Sequence, residues 1–232
     1  MSDYSTIYSN NDAQSMLKWR EKDADPYFNL IRNSNQLLFL NKLKSLKKPL
    51  RILEYGCAFA DLIAMIKFMN PAHEVFAVEK VAEVAKLAEA RLGKRHIFTQ
   101  SIEKPIPLES GSVDLIFSFD VIEHVKKSQV RGMLRETNRL LKKNGLAIIV
   151  TPNCNILMKA VYIATGNRYL IDKSFHINQY TAKRLKKEVA SELRVLAQKQ
   201  GYDLTSLSKL LSVFGIYKHL CIVAGKRPEN GI

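Results

Sequence analysis

Short apolar runs alternate along this chain with stretches of helical period, the pattern of a layered α/β fold. Leu50 to Leu53 is a brief run bounded by turn chemistry and predicts a buried parallel strand that ends at Glu54 and opens into a turn at Gly56. Ala60 to Met69, with Leu62, Ile63, Met65, Ile66 and Met69 apolar, predicts a buried helix whose first amides face that turn. Val75 to Glu79 reads as the next strand. Lys80 to Leu92 reads as a helix with Val84, Leu87, Ala88 and Leu92 on one stripe and Gly93 as its stop. Further strands are expected around Phe98 to Ile102, in Ser112 to Val125 and in Gly145 to Asn153. Val130 to Leu141 forms a helix between the last two, ending at Lys142-Lys143-Asn-Gly145, where basic residues suit a helix C-terminus. Thr181 to Gln200 repeats Leu185, Val189, Leu193 and Leu196 at helical spacing and predicts one more helix, first of all a core face. At the other end, Asp12 to Arg20 and Tyr27 to Lys47 read as helices, with Pro49 beyond the second.

Chemistry enters at Gly56. A glycine after a buried strand lets the backbone bend sharply and approach a ligand, and amides at the start of the next helix suit a polar group. Glu79, at the end of the second strand, can reach across the carboxyl edge of the sheet to both hydroxyls of a ribose. A dinucleotide site would ask for G-x-G-x-x-G to seat a pyrophosphate. Here Gly56 is followed by Cys57, Ala58, Phe59 and Ala60, so that reading weakens.

In Arg51 to Asp61, Val75 to Glu79, Phe98 to Ile102, Ser112 to Val125 and Gly145 to Asn153, taken in that order, the chain resembles the class I S-adenosylmethionine-dependent methyltransferases, most closely their type 11 small-molecule group. The resemblance covers roughly residues 48 to 153. More loosely, Tyr202 to Lys209 and His219 to Lys226 look like the hairpin that closes that family's sheet. It implies a Rossmann-like three-layer sandwich, with a mostly parallel seven-stranded sheet and an antiparallel C-terminal strand. It also implies S-adenosylmethionine as cofactor. Glu54, Gly56 and Ala58 would then lie at its amino-acid end, Glu79 on the ribose, Ser101 and Ile102 beside adenine, and Phe119 with Asp120 over the methionine moiety. The chain departs from the pattern at Ala58 and Ala60, where glycines are frequent and alanine is a mild change if φ stays negative. It departs again at Ser101, which replaces an acid.

The 232 residues, 47% of them hydrophobic, suffice for one α/β domain at 48–232, preceded by a helical cap at 1–47 and carrying an insertion at about 154–180. The polar N-terminus and the absence of any run of spanning length favour a cytoplasmic protein, peripheral to a membrane at most. Cys57, Cys154 and Cys221 are isolated, supporting neither a disulfide framework nor a zinc site. Charge is divided unequally. Residues 1–125 hold 16 basic and 16 acidic side chains and residues 126–232 hold 20 and 6, so the net +14 belongs to the second part. That excess suits an anionic substrate, an acidic membrane surface or nucleic acid, or it simply solvates helix faces at Lys126, Lys127, Lys142, Lys143, Lys186 and Lys187. Neither a nucleic-acid motif nor an aromatic stacking set raises the nucleic-acid option.

The insertion carries the apolar piece Ile156 to Ala164 and then Gly166 to His176. It reads as a substrate wall, either a small helical cap packed on the core or, with Lys159, Arg168 and Lys173 nearby, an interfacial element of the kind seen in lipid methyltransferases. Methyl transfer from a sulfonium needs alignment and somewhere for an acceptor's proton to go. His124 and His176 are the candidate catalytic bases, each weighed against a packing role. Glu123 invites a metal-assisted mechanism, but spacing supplies no second and third ligand and no metal is assigned. His73, His96 and His219 read as surface or strand-edge residues. The expected activity is methylation of a small-molecule or lipid-like acceptor, with oxygen favoured. The alternatives are a tRNA or other nucleic-acid methyltransferase, and a non-catalytic cofactor-binding scaffold whose glycine loop has degenerated.

Overall fold

Seven extended segments pair into one sheet in the computed structural model, which describes residues 48–166, 168–200 and 219–228. The helices expected at 12–20 and 27–47, the cap at 1–47, and the segment 202–209 lie outside the described residues. The strands are β1 (Arg51–Tyr55), β2 (Glu74–Glu79), β3 (Ile97–Thr99), β4 (Val113–Phe119), β5 (Leu141–Pro152), β6 (Arg194–Gln200) and β7 (His219–Gly225). The helices are α1 (Asp61–Met69), α2 (Ala82–Leu92), α3 (Lys127–Leu140), α4 (Ile156–Ala164) and α5 (Ala182–Ala190). The order across the sheet is β3-β2-β1-β4-β5-β7-β6; the first five strands run parallel and β7 is antiparallel to both its neighbours. This is the expected Rossmann-like architecture.

Alternation along the strands explains why the sheet is covered on both faces. Ile52, Val75, Ala77, Leu115 and Phe117 point into a core shared with Leu62, Ile63 and Ile66 of α1 and Ala85 and Ala88 of α2. Leu53, Tyr55, Val78 and Ile116 point the other way, against Val130, Met133 and Leu134 of α3 and Leu185 and Val189 of α5. Successive residues of a strand face opposite sides, so a parallel strand buried on both faces reads as a continuous apolar run.

Several expectations about elements are corrected. The helix predicted over Thr181 to Gln200 ends at Ala190, and Arg194–Gln200 is strand β6, hydrogen-bonded along β7. Leu185, Val189 and Leu193 are buried as the helical stripe required, while Leu196, on the strand, is half exposed. Among the described residues, the sheet is closed by β7 and β6. In α2, Val84 and Ala88 are buried but Leu87 is exposed, so the stripe is narrower than drawn. Lys142 and Lys143 belong to β5 rather than a helix end, and Lys142 pairs with Asp114 at 2.7 Å.

After β1 the chain winds outward through β2 and β3, and after crossing back it winds the other way through β4 and β5. The reversal opens a crevice between the carboxyl ends of β1 and β4, where open α/β sheets hold ligands.

Candidate active site at the carboxyl edge of the sheet

Strand β1 delivers Glu54 and the turn at Gly56 to this crevice. Gly56 has φ +65°, and a Cβ there would stand 2.6 Å from Val121 Cγ2, so the β1 turn and the loop after β4 meet at a point only glycine allows. Its amide and that of Cys57 both donate to the carbonyl of Val78, at 2.8 and 3.1 Å, fixing the turn to β2. Ala58 and Ala60 lie at φ +46° and +58°. The alanines are thus in the left-handed region, contrary to the expectation of a mild change at negative φ, and each costs about 1 kcal/mol relative to glycine. Asp120, at the end of β4, is the third non-glycine residue at positive φ among those described, at +54°. Backbone strain among the non-glycine residues is therefore gathered at one edge, as at functional sites.

Glu79 ends β2 with its carboxylate turned back over this turn. It accepts from the amides of Val81 at 2.9 Å and Ala58 at 3.1 Å, so it also holds the turn's shape. Burial raises its pKa, opposed by those amide hydrogen bonds. Glu54 is buried beside it, and burial pushes its carboxyl up to about 8; the amide of Ile63 in α1 opposes the rise, and Asp61 and Glu79 add to it. A carboxyl there is protonated at neutral pH until a cation arrives.

Next along the edge, Ile102 is buried in the core and Ser101 is half buried. The Ser101 hydroxyl donates to Glu103 and accepts from Gln129 Nε2 at 3.2 Å, so an acid absent from position 101 enters two residues on. Phe119 is half buried, tilted against Phe117 with ring centroids 5.3 Å apart. Asp120 donates its amide to Val150 O at 3.0 Å, and its carboxylate lies 3.9 Å from His219 Nε2 of β7. His219, the first residue of β7, therefore stands at the strand end beside Asp120. His73 and His96, expected at the surface, are buried: His73 Nδ1 accepts from the amide of Leu50 at 3.0 Å, and His96 Nδ1 donates to Val75 O at 2.7 Å.

The segment after β5 carries α4. Asn155 caps α4 by accepting from the Met158 amide at 2.8 Å. Met158 and Tyr162 face inward, whereas Ile156, Leu157 and Ile163 form an exposed apolar ridge, Ile156 at 84%. The returning chain is clamped to the loop after β4. Asn178 Nδ2 donates to the carbonyls of Ile122 at 3.0 Å and Val125 at 2.5 Å, and its amide donates to Glu123 O at 3.0 Å. The clamp brings His176, 52 residues distant in sequence, against His124, with ring centroids 4.7 Å apart in an edge arrangement. His124 Nδ1 donates to Phe175 O at 3.1 Å. Burial and the neighbouring His176 depress the His124 pKa to about 3, while the Phe175 carbonyl pulls it back. Glu123 is buried below them, and its Oε2 accepts from the Thr151 hydroxyl at 2.9 Å. Thr151, Asn178 and Val121 were not singled out from the sequence. Each is an ordinary residue whose part in the site depends on a partner far along the chain.

The family described as "Methyltransferase domain" matches residues 53–149. The ubiquinone biosynthesis O-methyltransferase of Pelagibacter ubique is 28% identical over 134 residues, 56% of this chain and 54% of that protein. A probable S-adenosylmethionine-dependent methyltransferase of Mycobacterium tuberculosis is 33% identical over 105 residues, 44% of this chain and 35% of that protein. The chain thus spans about half the length of the first relative and about a third of the second. Among solved structures, the PH0226 protein of Pyrococcus horikoshii superposes with a TM-score of 0.61 at 13% identity, covering 96% of both chains, a likeness of fold.

Proposed function

We propose, from the premise that this chain belongs to the class I S-adenosylmethionine-dependent methyltransferases through its domain at residues 53–149, that it is an enzyme transferring a methyl group to oxygen of a small, lipid-like acceptor. The observation that carries the reading is the pairing of a Cβ-free turn at Gly56 with the Glu79 carboxylate at the end of the adjacent strand. These fit a nucleoside whose ribose hydroxyls donate to Glu79 and whose polar tail lies along the turn.

Bound there, S-adenosylmethionine supplies an electrophilic methyl group on a sulfonium. Gly56 keeps the turn close to Val121, and Ala58 borders the amino-acid end. Glu54, protonated in the empty site, supplies a counter-charge once it ionises. Ser101 and Ile102 border the adenine, and Phe119 and Asp120 close over the methionine portion. His124 and His176 line the acceptor side from two different elements. With a pKa depressed to about 3, His124 stays neutral and orients an acceptor hydroxyl rather than retaining its proton.

The acceptor class rests on the insertion. The apolar ridge of Ile156, Leu157 and Ile163, with Ile177 also exposed near the wall, offers a greasy surface next to the site. The name of the Pelagibacter relative, a ubiquinone biosynthesis O-methyltransferase, points the same way. No described helix is long and apolar enough to cross a membrane, so contact with lipid would be peripheral. A second reading, nucleic-acid methylation, has one observation in its favour: a groove of about 340 Å³ between α3 and α5 where Lys127, Arg131, Arg184 and Lys187 outnumber the single acid, Glu188.

Calorimetric titration with S-adenosylmethionine and S-adenosylhomocysteine, with NAD as control, tests the cofactor. Binding of the first two and not of NAD is expected; binding of none would turn the reading to a degenerate scaffold. Salt-sensitive binding of RNA but not of anionic vesicles would favour the second acceptor class.

A further inference from the structure

Three side chains from two separate segments converge beside the crevice. Glu123 and His124 follow β4, and His176 is carried in by the insertion; their ligand atoms all lie within 4.8 Å of one another, and this is the metal-competent grouping found among the described residues. Glu123 and His176 are almost wholly buried and His124 mostly so.

Each donor is also held by something else. Because the Phe175 carbonyl can only accept, His124 carries its proton on Nδ1 and its lone pair on Nε2, on the side of Glu123 Oε1, 3.9 Å away. Thr151 donates to the other oxygen of Glu123, so the carboxylate turns Oε1 toward the imidazoles. The backbone amides of Phe175 and His176 both donate to Asp172 O, at 3.2 and 2.7 Å, which fixes the tight turn presenting His176. Secondary contacts of this kind orient the ligands of a metal centre.

We propose that Glu123, His124 and His176 hold a divalent first-row transition-metal ion with positions left open toward the acceptor. Two imidazoles and one carboxylate suit zinc or ferrous iron rather than magnesium or calcium, which favour all-oxygen sets. Tetrahedral donors about 2.1 Å from an ion stand about 3.4 Å apart, so the widest pair here closes by at most about 1.4 Å, within reach of side-chain rotation. An ion at this point would take an acceptor oxygen as a further ligand and lower its affinity for its proton. The ion's site is read from these side chains alone; its use in catalysis rests on the methyl-transfer reading.

The test is titration of the metal-stripped full chain with cobalt(II) at neutral pH, followed by visible absorption and competed with zinc. S-adenosylhomocysteine binding is measured separately on the same preparations, so that failure of the metal site and failure of the cofactor reading are told apart. One equivalent of cobalt with nitrogen and oxygen ligand-field bands is expected. His176→Ala should abolish it, and Thr151→Val, which removes only the hydroxyl holding Glu123, should weaken it by about 10- to 100-fold. Circular dichroism checks that both variants fold, and the wild-type titration stands without either. Absence of cobalt uptake by the wild type, thiolate charge-transfer bands, or uptake unchanged in both variants would overturn the proposal.

Discussion

At the scale of single residues, Glu54 has the most testable chemistry. Its carboxyl is neutral below about pH 8 because burial outweighs the amide hydrogen bond from Ile63. A cationic ligand beside it favours the charged form, so binding takes place with release of a proton. Affinity for S-adenosylmethionine is expected to rise as pH increases from 6 to about 8 and then level, and Glu54→Gln should flatten that rise. Calorimetry in buffers of different ionisation enthalpy would count the proton. The same shift has an opposite consequence for folding. The unfolded carboxyl ionises near its ordinary value and the folded one near 8, so the folded state holds the extra proton between them and this contribution to stability is lost as pH rises through that window. Glu79 is a different case. Its carboxylate already serves the Ala58 and Val81 amides, so Glu79→Gln is the informative change, expected to weaken cofactor binding more than tenfold, or about 1.4 kcal/mol. Unchanged affinity would remove Glu79 from the ribose. Glu54, Gly56 and Glu79 were legible because their place follows from strand ends. The positive φ of Ala58 and Ala60 was not, since alanine gives no signal of left-handed backbone.

At the scale of elements, the parallel strands and their helices were readable because each buried element keeps a period. Thr181 to Gln200 shows where that fails. Leu185, Val189 and Leu193 keep helical spacing across a true helix and its exit, and Leu196 prolongs that period into Arg194–Gln200, where Val195, Leu196 and Ala197 are a short apolar run with no strand alternation, followed by Gln198, Lys199 and Gln200. An edge strand needs little hydrophobicity and carries charge to discourage further pairing. The helical piece Ile156–Ala164 was legible, but not the convergence of His176 on His124, which depends on Asn178 gripping the carbonyls of Ile122 and Val125. Replacing residues 156–171 by a short polar linker leaves that grip and the domain's core in place. S-adenosylhomocysteine affinity should then persist while turnover of a lipid-like acceptor is lost. Loss of both in the same variant would make the segment a structural support.

At the scale of the whole molecule, the charge excess lies in the part of the chain that supplies α3, α5 and the insertion, while Asp and Glu balance Lys and Arg in the half that builds β1 to β4. Some of the cations are paired: Arg135 with Glu192 at 3.0 Å and Arg139 with Glu136 at 2.6 Å. Lys127 and Lys187 remain exposed beside the groove between α3 and α5. Retention on anionic vesicles is expected to exceed that on neutral ones and to fall steeply with added salt, as measured by flotation, because screening shortens the reach of surface charge. Equal retention at low and high salt would assign the contact to the apolar ridge of α4 alone.

The place of β7 in the sheet sets an order in time. It lies between β5 and β6 and carries His219 to within 3.9 Å of Asp120, yet it follows all the other six strands in the chain. During synthesis β5 therefore leaves the ribosome with one long side bare, and β6 has no sheet neighbour until the chain has run on from Gln200 to His219–Gly225. The nascent protein can assemble the Gly56 turn early, but it covers the bare side of β5 and brings His219 to Asp120 in the same late event.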